Sequence, residues 1–433
     1  MLIRWNVNLS FQKADIKSER EAVLYKEKSK ITDHGDHGID KIKKRESLSE
    51  WGCVKKLVVY YMKKILFTIA FLNGYHGSVI HVYEWSKYFV SIGYGVTVIC
   101  INSFKSIRKL YEESGIQVCD ITEISSKKSY DIVFAYHFPV ITYLLSFNLI
   151  ECRKLILGSL SPFEPLESLP IFWEHSSLIT VVSQEVLQKI QKNLKVPDKQ
   201  IRVVQNSVPD DFIFFSKRSN VNKCLNIGVV SNHVPIELRR IQEYLPSTAR
   251  VTYLGSNEKV YLLVDPQTLI KFDVVISIGK TVNYALCMGI PVFEYDYFGR
   301  CGYFSRRNFD LELMSNFSGR SSCRHCTPAE LAKEIITGYE QALAEAKGLK
   351  EKAIDLFLLS KQCDNLLHLI ESYPDFSPPD FSSGLYYLEK QHSYSFIKVA
   401  SHLSRNQEYI ALLKKILIKT SLFRFVIYQY CPK

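Results

Sequence analysis

Long apolar runs are missing from this 433-residue chain. No stretch reaches the roughly 18 uninterrupted apolar residues of a membrane span. Leu57 to Leu72 comes closest, and Lys63–Lys64 interrupt it. The opening residues, MLIRWNVNLSFQKADIKSER, lack the apolar core of a secretory signal. Eleven cysteines are present but scattered, without the spacing of a disulfide framework, so the expected compartment is a reducing cytoplasm. A soluble or peripheral protein is expected.

Metal signatures are equally thin. Cys323-Arg-His-Cys326 could supply two or three ligands. A structural zinc normally takes four, and no second pair stands at finger-like spacing, so a loop with two thiols is the plainer reading. The two histidines of the DHGDHG run lie in a charged segment and read as solvated chain. Basic residues are spread out and no recognised nucleic-acid module is present, which argues against nucleic acid as a partner.

What is present is material for two cores. Hydrophobic residues make up 47% and charged residues 23%, and the length exceeds one ordinary core, so two α/β domains are expected. The net charge of +11 points to an anionic partner without choosing among nucleotides, nucleic acid and membrane. Residues 1–61 mix charges of both signs with little apolar periodicity and read as disordered, or as an extension upstream of a start at Met62.

The chain is organised around Phe272 to Gly302, FDVVISIGKTVNYALCMGIPVFEYDYFGRCG. Val274 to Ile278 reads as a strand buried on both faces, Gly279 breaks it, and Lys280–Thr281 open a helix through Met288. Gly289 and Pro291 stop that helix, and Ile290 to Tyr295 reads as the next strand. Strand–loop–helix–strand units belong to parallel sheets, whose ligands bind outside the strands' carboxyl ends. The amides after Gly279 suit an anion, Lys280 adds charge and Thr281 a hydroxyl. The alternative is an ordinary turn with an exposed lysine.

Around this unit the pattern repeats. Residues 62–215 form a first Rossmann-like series, with the glycine loop Phe71–Ser78, a helix from about Val79 to Ser91 and a strand over Asp131 to Tyr136. Gly74 and Gly77 let a substrate approach the backbone. His76 beside them, and His137 at a strand's carboxyl end, are candidate catalytic groups. Either could instead be a turn, capping or core histidine. Ser183 is placed as the N-cap of a helix from Gln184 to Leu194. Phe215 to Lys223 reads as a linker, and residues 216–375 as a second α/β series in which Pro328–Gly348 and Lys350–Ser372 are two helices. Residues 376–433 read as a helical basic tail carrying Lys398, Arg405, Lys414, Lys415, Lys419 and Arg424. Such a tail lies on an anionic membrane or packs back on the body.

From Lys64 to Ser372 the order of parts resembles a GT-B glycosyltransferase, in particular the large retaining, nucleotide-sugar-dependent group. KKILFTIAFLNGYHGSVIHVYEWSKYFVSIGYGVTVI is similar to its opening strand, glycine loop and helix, and LITVVSQEVLQKIQKNLKVPDKQIRVVQNSV to the end of its first domain. NYALCMGIPVFEYDYFG resembles its donor-site helix and following strand. The resemblance implies two Rossmann-like domains facing a cleft. It implies a nucleotide-diphosphate sugar held at Gly279–Thr281, with Tyr284 beside it. His137 would lie near the donor sugar, and Gly74 and Gly77 near the phosphates. A glycan or lipid-linked acceptor would enter from the first domain, in surface polysaccharide or glycolipid synthesis. No cofactor is implied and no Asp-x-Asp is convincingly placed, so metal-independent transfer is expected.

Departures accompany the likeness. Where the family carries two glutamates with seven residues between them, this chain has Ile276 and Tyr284, and Asn232 corresponds roughly to the family's arginine. Arg239 or Arg240 could substitute, or simply lie on a helix surface. Two other functions therefore stand beside transfer. One is a non-catalytic partner of an active transferase. The other is a nucleotide-sugar epimerase of the same fold, for which Glu294 and Asp296 are the nearest carboxylates.

Overall fold

A computed structural model describes residues 62–215 and 224–403. The segment read as disordered, most of the linker, and the tail's basic residues from Arg405 onward lie outside the described residues.

The first domain follows from short apolar runs separated by polar turns. Its elements are β1 (Lys64–Thr68), β2 (Phe71–Leu72), α1 (Gly77–Ser91), β3 (Gly95–Cys100), β4 (Asn102–Ser103), α2 (Lys105–Glu113), β5 (Gln117–Asp120), β6 (Lys128–Ala135), α3 (Phe138–Ser146), β7 (Ile150–Ser159), β8 (Leu178–Val181), α4 (Gln184–Leu194) and β9 (Ile201–Val203). Seven of the strands form a parallel sheet in the order β5-β3-β1-β6-β7-β8-β9, and β2 pairs with β4 beside it. Neighbouring residues of β1 serve opposite cores. Ile65 and Phe67 pack with Trp85, Phe89 and Phe134, while Leu66 joins Val133, Leu155 and Ile179. That two-sided burial is why the strands read as continuous apolar runs. Ser183 caps α4 as expected, its hydroxyl accepting from Val186 N.

In the second domain come β10 (Leu225–Val230), α5 (Ile236–Arg239), β11 (Ala249–Leu254), α6 (Pro266–Leu269), β12 (Val274–Ser277), α7 (Lys280–Met288), β13 (Val292–Asp296), β14 (Gly299–Tyr303), α8 (Phe309–Met314) and α9 (Pro328–Phe357). The sheet order is β11-β10-β12-β13-β14, parallel except for β14. Thr327 and Glu330 form a capping box at the start of α9, with Pro328 in the first turn. The helix runs through Gly348, where the sequence pattern suggested a stop; a Cβ there would fall 2.6 Å from the Arg306 guanidinium, so the glycine answers a close approach and does not end the helix. It breaks at Leu358 instead, whose ψ of 124° is extended.

At that break the chain returns to the first domain. Val208 N donates to Phe357 O at 2.7 Å and Leu359 N to Val208 O at 2.9 Å, a clamp between the two crossings. Helix α10 (Leu359–Glu371) buries Leu359, Cys363, Leu366 and Ile370 in the first-domain core, although the sequence-drawn boundary at residue 375 groups it with the second domain. Helix α11 (Gly384–Leu403) packs Phe396, Ile397 and Ala400 against the same domain, on the α3 side. The part of the tail within the described residues thus packs back on the body. No helix among the described residues is long and apolar enough to cross a membrane.

Candidate functional site

Each sheet has a switch point where strand order reverses, between β1 and β6 in the first and between β10 and β12 in the second. Crevices form there, outside the carboxyl ends. In the second domain the Ser277 hydroxyl donates to Val230 O at 2.6 Å, tying the ends of β12 and β10 together. A cavity of about 260 Å³ opens above them. Its walls include Ser231, Asn232 and His233 after β10, Gly255 after β11, Lys280 and Thr281 after β12, and Asp296 at the end of β13. Tyr75, Gly77 and Ile80 close it from the first domain.

The loop into α7 is built for close approach. Gly279 has φ 61° and ψ −134°, a conformation essentially reserved for glycine, and a Cβ there would meet nothing within 4 Å. Its N–H donates to Phe317 O at 2.6 Å, and the first helical bond of α7 runs from Val282 N to Gly279 O. The amides of Lys280 and Thr281 therefore stand in the first turn, at the positive end of the helix dipole.

The Lys280 side chain goes elsewhere. Its Nζ lies 2.6 Å from Glu84 Oε2 and donates to Ser207 O at 2.8 Å, and the side chains of Lys280 and Glu84 are 8% and 7% exposed. Tyr284, fully buried, donates its hydroxyl to Glu84, and Trp85 Nε1 donates to Ser207 Oγ at 2.8 Å. Glu84 belongs to α1, so this cluster fastens the loop at Gly279 to the first domain. Burial pushes the Glu84 carboxyl up, against the pull of Lys280. Burial, and then the Lys280 ammonium, push the neighbouring His81 imidazole well down.

The other sequence-predicted residues divide. Gly77, Asn232, Lys280 and Thr281 line the cavity, and Gly279 sits between its lining residues. Gly74 and His76 lie at its edge: a Cβ on Gly74 would fall 2.6 Å from the Tyr261 hydroxyl and 3.2 Å from His76 Nε2. His76 occupies the N-cap position of α1 without a side-chain capping bond. Tyr284 and Glu294 stand outside the cavity lining. Glu294 is completely buried in β13 and accepts from Gly319 N at 3.0 Å.

His137 also stands outside the cavity lining. It takes φ 61° at the end of β6, and its Nδ1 accepts from Ala70 N at 3.0 Å, which leaves the proton on Nε2, 3.4 Å from Glu167 Oε1. The ring is buried and both nitrogens have protein partners.

Sequence reading passed over two contributors, Tyr261 and Glu84, and named a third, Asp296, only as an epimerase carboxylate. Tyr261, from the segment after β11, crosses the cleft: its hydroxyl accepts from Tyr75 N, and the two rings lie 5.1 Å apart. Asp296 lines the cavity, held by the Ser231 hydroxyl at 2.9 Å and Tyr297 N at 2.7 Å, and burial raises its carboxyl pKa. Glu84 had a signal, being a carboxylate set in the apolar run HVYEWS of α1. Tyr261 had none, since its role depends on a contact 186 residues away. Among the described residues no group of three or more His, Cys, Asp or Glu is placed to hold a metal ion.

Among solved structures, Anabaena Alr3699/HepE in complex with UDP-glucose matches with a TM-score of 0.50 at 15% identity, over 71% of this chain and 99% of its own. The chain's fold is GT-B. A glycosyltransferase from Rickettsia africae ESF-5 gives a TM-score of 0.47 at 14% identity, covering 72% of this chain and 98% of its own. Acinetobacter baumannii MurG gives 0.45 at 11%, covering 71% and 99%. No family model matches the sequence, and neither does any curated protein.

Proposed function

We propose that this protein is a glycosyltransferase that moves a sugar from a nucleotide-diphosphate sugar to a glycan or lipid-linked acceptor in surface polysaccharide or glycolipid synthesis. The observation carrying the proposal is the placing of the cavity. It lies at the second domain's switch point, against the first turn of α7, with the glycine loop of the first domain opposite. Transfer leaves new charge on the diphosphate, and fixed amides at a helix start offset it without reorganisation. The GT-B fold supports the reading, as does the UDP-glucose held by the Anabaena protein of that fold.

In this reading Gly279, Thr281 and the Lys280 backbone hold the diphosphate, and Gly77 faces it from across the cleft. The Lys280 ammonium holds the wall of the site through Glu84. Asn232 and Asp296 supply polar contacts to hydroxyls of the donor. Charge is offset by amides, so transfer is metal-independent and no cofactor is used beyond the donor itself. The protein works in the cytoplasm, at the inner face of the membrane where a lipid-linked acceptor would lie.

The test is a thermal-shift series with UDP, GDP, dTDP, CDP and ADP on wild type and Gly279→Ala. Stabilisation by one nucleotide that the variant loses would support the donor site and name its base. Absence of any shift would sink the reading and favour a non-catalytic partner. Asp296, the cavity's carboxylate with a raised pKa, favours one second reading, epimerisation. That reaction would exchange a sugar C–H proton with solvent deuterium, which glycosyl transfer does not.

A further inference from the structure

Helix α11 has two dissimilar faces. Inward, Phe396, Ile397 and Ala400 pack on the first domain. Glu389, the helix's sole carboxylate, is buried there too and accepts from Ile171 N through both oxygens, at 3.0 and 2.9 Å. Turning that acid inward leaves an outer face with no negative charge. On it Tyr387, Leu388, Tyr394 and Val399 are exposed, Leu388 by 52%, beside Lys398.

The patch extends onto the neighbouring helix. Phe147, at the end of α3, is 38% exposed and its ring lies 5.7 Å from that of Tyr394. Tyr143 stacks on Tyr394 at 6.5 Å. Lys390 Nζ stands 4.7 Å over the Phe147 ring, and Lys398 Nζ 5.9 Å over Tyr394. Tyrosines, an exposed leucine and lysines with apolar stems are the side chains that settle at a membrane–water boundary. The sequence that follows adds Arg405, Lys414, Lys415, Lys419 and Arg424 against Glu408.

We infer that the outer face of α11, with the end of α3, docks this protein on an anionic bilayer surface. Lysines meet lipid head groups while Leu388 and the aromatic rings enter the boundary. Packing against the body and lying on the membrane are then two faces of one helix. The inference rests on the proposed function only in giving its peripheral-membrane part a surface.

The experiment is co-sedimentation of the full chain with phosphatidylcholine vesicles, with and without about 30% phosphatidylglycerol, at low and raised salt. Wild type should bind the anionic vesicles, less at raised salt, and neutral ones weakly. Tyr394→Ser with Lys398→Glu should lower the partition about tenfold. Both positions are exposed, so the melting temperature should not move. Equal binding to neutral vesicles, no binding at all, or a variant that binds like wild type would each overturn the inference. Nucleotide thermal shifts on the same samples report the donor site separately, so failure of one reading is distinguishable from failure of the other.

Discussion

Glu84 Oε2 lies 2.6 Å from Lys280 Nζ, joining the first helix of one domain to the Gly279 loop of the other through a pair that water hardly reaches. Two charges removed from water are costly, and their mutual attraction offsets that cost only while both are present. On sequence alone, Lys280→Ala should weaken nucleotide binding. The geometry moves the effect to stability: the substitution leaves Glu84 buried and unpaired, at about 3–5 kcal/mol. Urea unfolding checks it. Lys280→Met combined with Glu84→Leu should recover most of the loss, and a double variant as unstable as the single one would refute the pair's role.

The glycines of the two facing loops make a contrast. Gly279→Ala meets no steric obstacle, but its φ of 61° with ψ of −134° costs a residue with a Cβ about 1–3 kcal/mol. Relief of that strain shifts the first amides of α7, so the nucleotide thermal shift should vanish along with part of the stability. Gly77→Ala meets open space at an ordinary φ and should leave the melting temperature within about a degree or two of wild type. A Gly279→Ala protein with unchanged stability would show that the loop tolerates another conformation.

Much of the architecture was legible because buried parallel strands are written as short β-branched runs, and Val274 to Ser277 fell inside the expected Val274 to Ile278. The N-cap Ser183 is local chemistry and reads directly. The site was legible only where backbone sets it. Gly279 announces a conformation, but nothing in Lys280 announces that its ammonium turns toward Glu84, 196 residues earlier. Likewise a histidine at a strand end reads as a ligand group until Ala70 N and Glu167 are seen to occupy both nitrogens of His137. Side-chain direction across a domain interface is a tertiary fact, and local periodicity does not encode it.

A second cross-domain pair sets how firmly the cleft is held. Arg320 Nε donates to Glu185 Oε1 at 3.0 Å, with a second bond between Nη2 and Oε2, and its guanidinium also lies over the rings of Phe163 and Phe298. The pair is partly exposed, so Arg320→Ala should cost only about 1 kcal/mol of stability. Its larger effect should be on domain opening. Small-angle scattering should show a greater radius of gyration for the variant without ligand, and an unchanged profile would assign the restraint to the Glu84 cluster alone.

His81 is buried on α1, its Nε2 2.7 Å from the Tyr136 hydroxyl and its Nδ1 without a hydrogen-bond partner among the described residues. Burial first, and Lys280 second, hold its pKa well below the ordinary 6.5. The folded state therefore binds a proton more weakly than the unfolded chain does. The stability this contributes is complete above pH 6.5 and is lost as pH falls through that value, by up to about 1.4 kcal/mol for each unit until the native pKa is reached. The melting temperature of wild type should accordingly drop between about pH 7.5 and about pH 5.5. His81→Gln keeps an amide within reach of Tyr136 but cannot titrate, so its curve should be flatter over that window. Carboxylates such as Glu84 titrate in both proteins and cancel in the difference. Parallel curves would mean that His81 takes up its proton inside the fold as readily as in water, and that its surroundings are wetter than its burial implies.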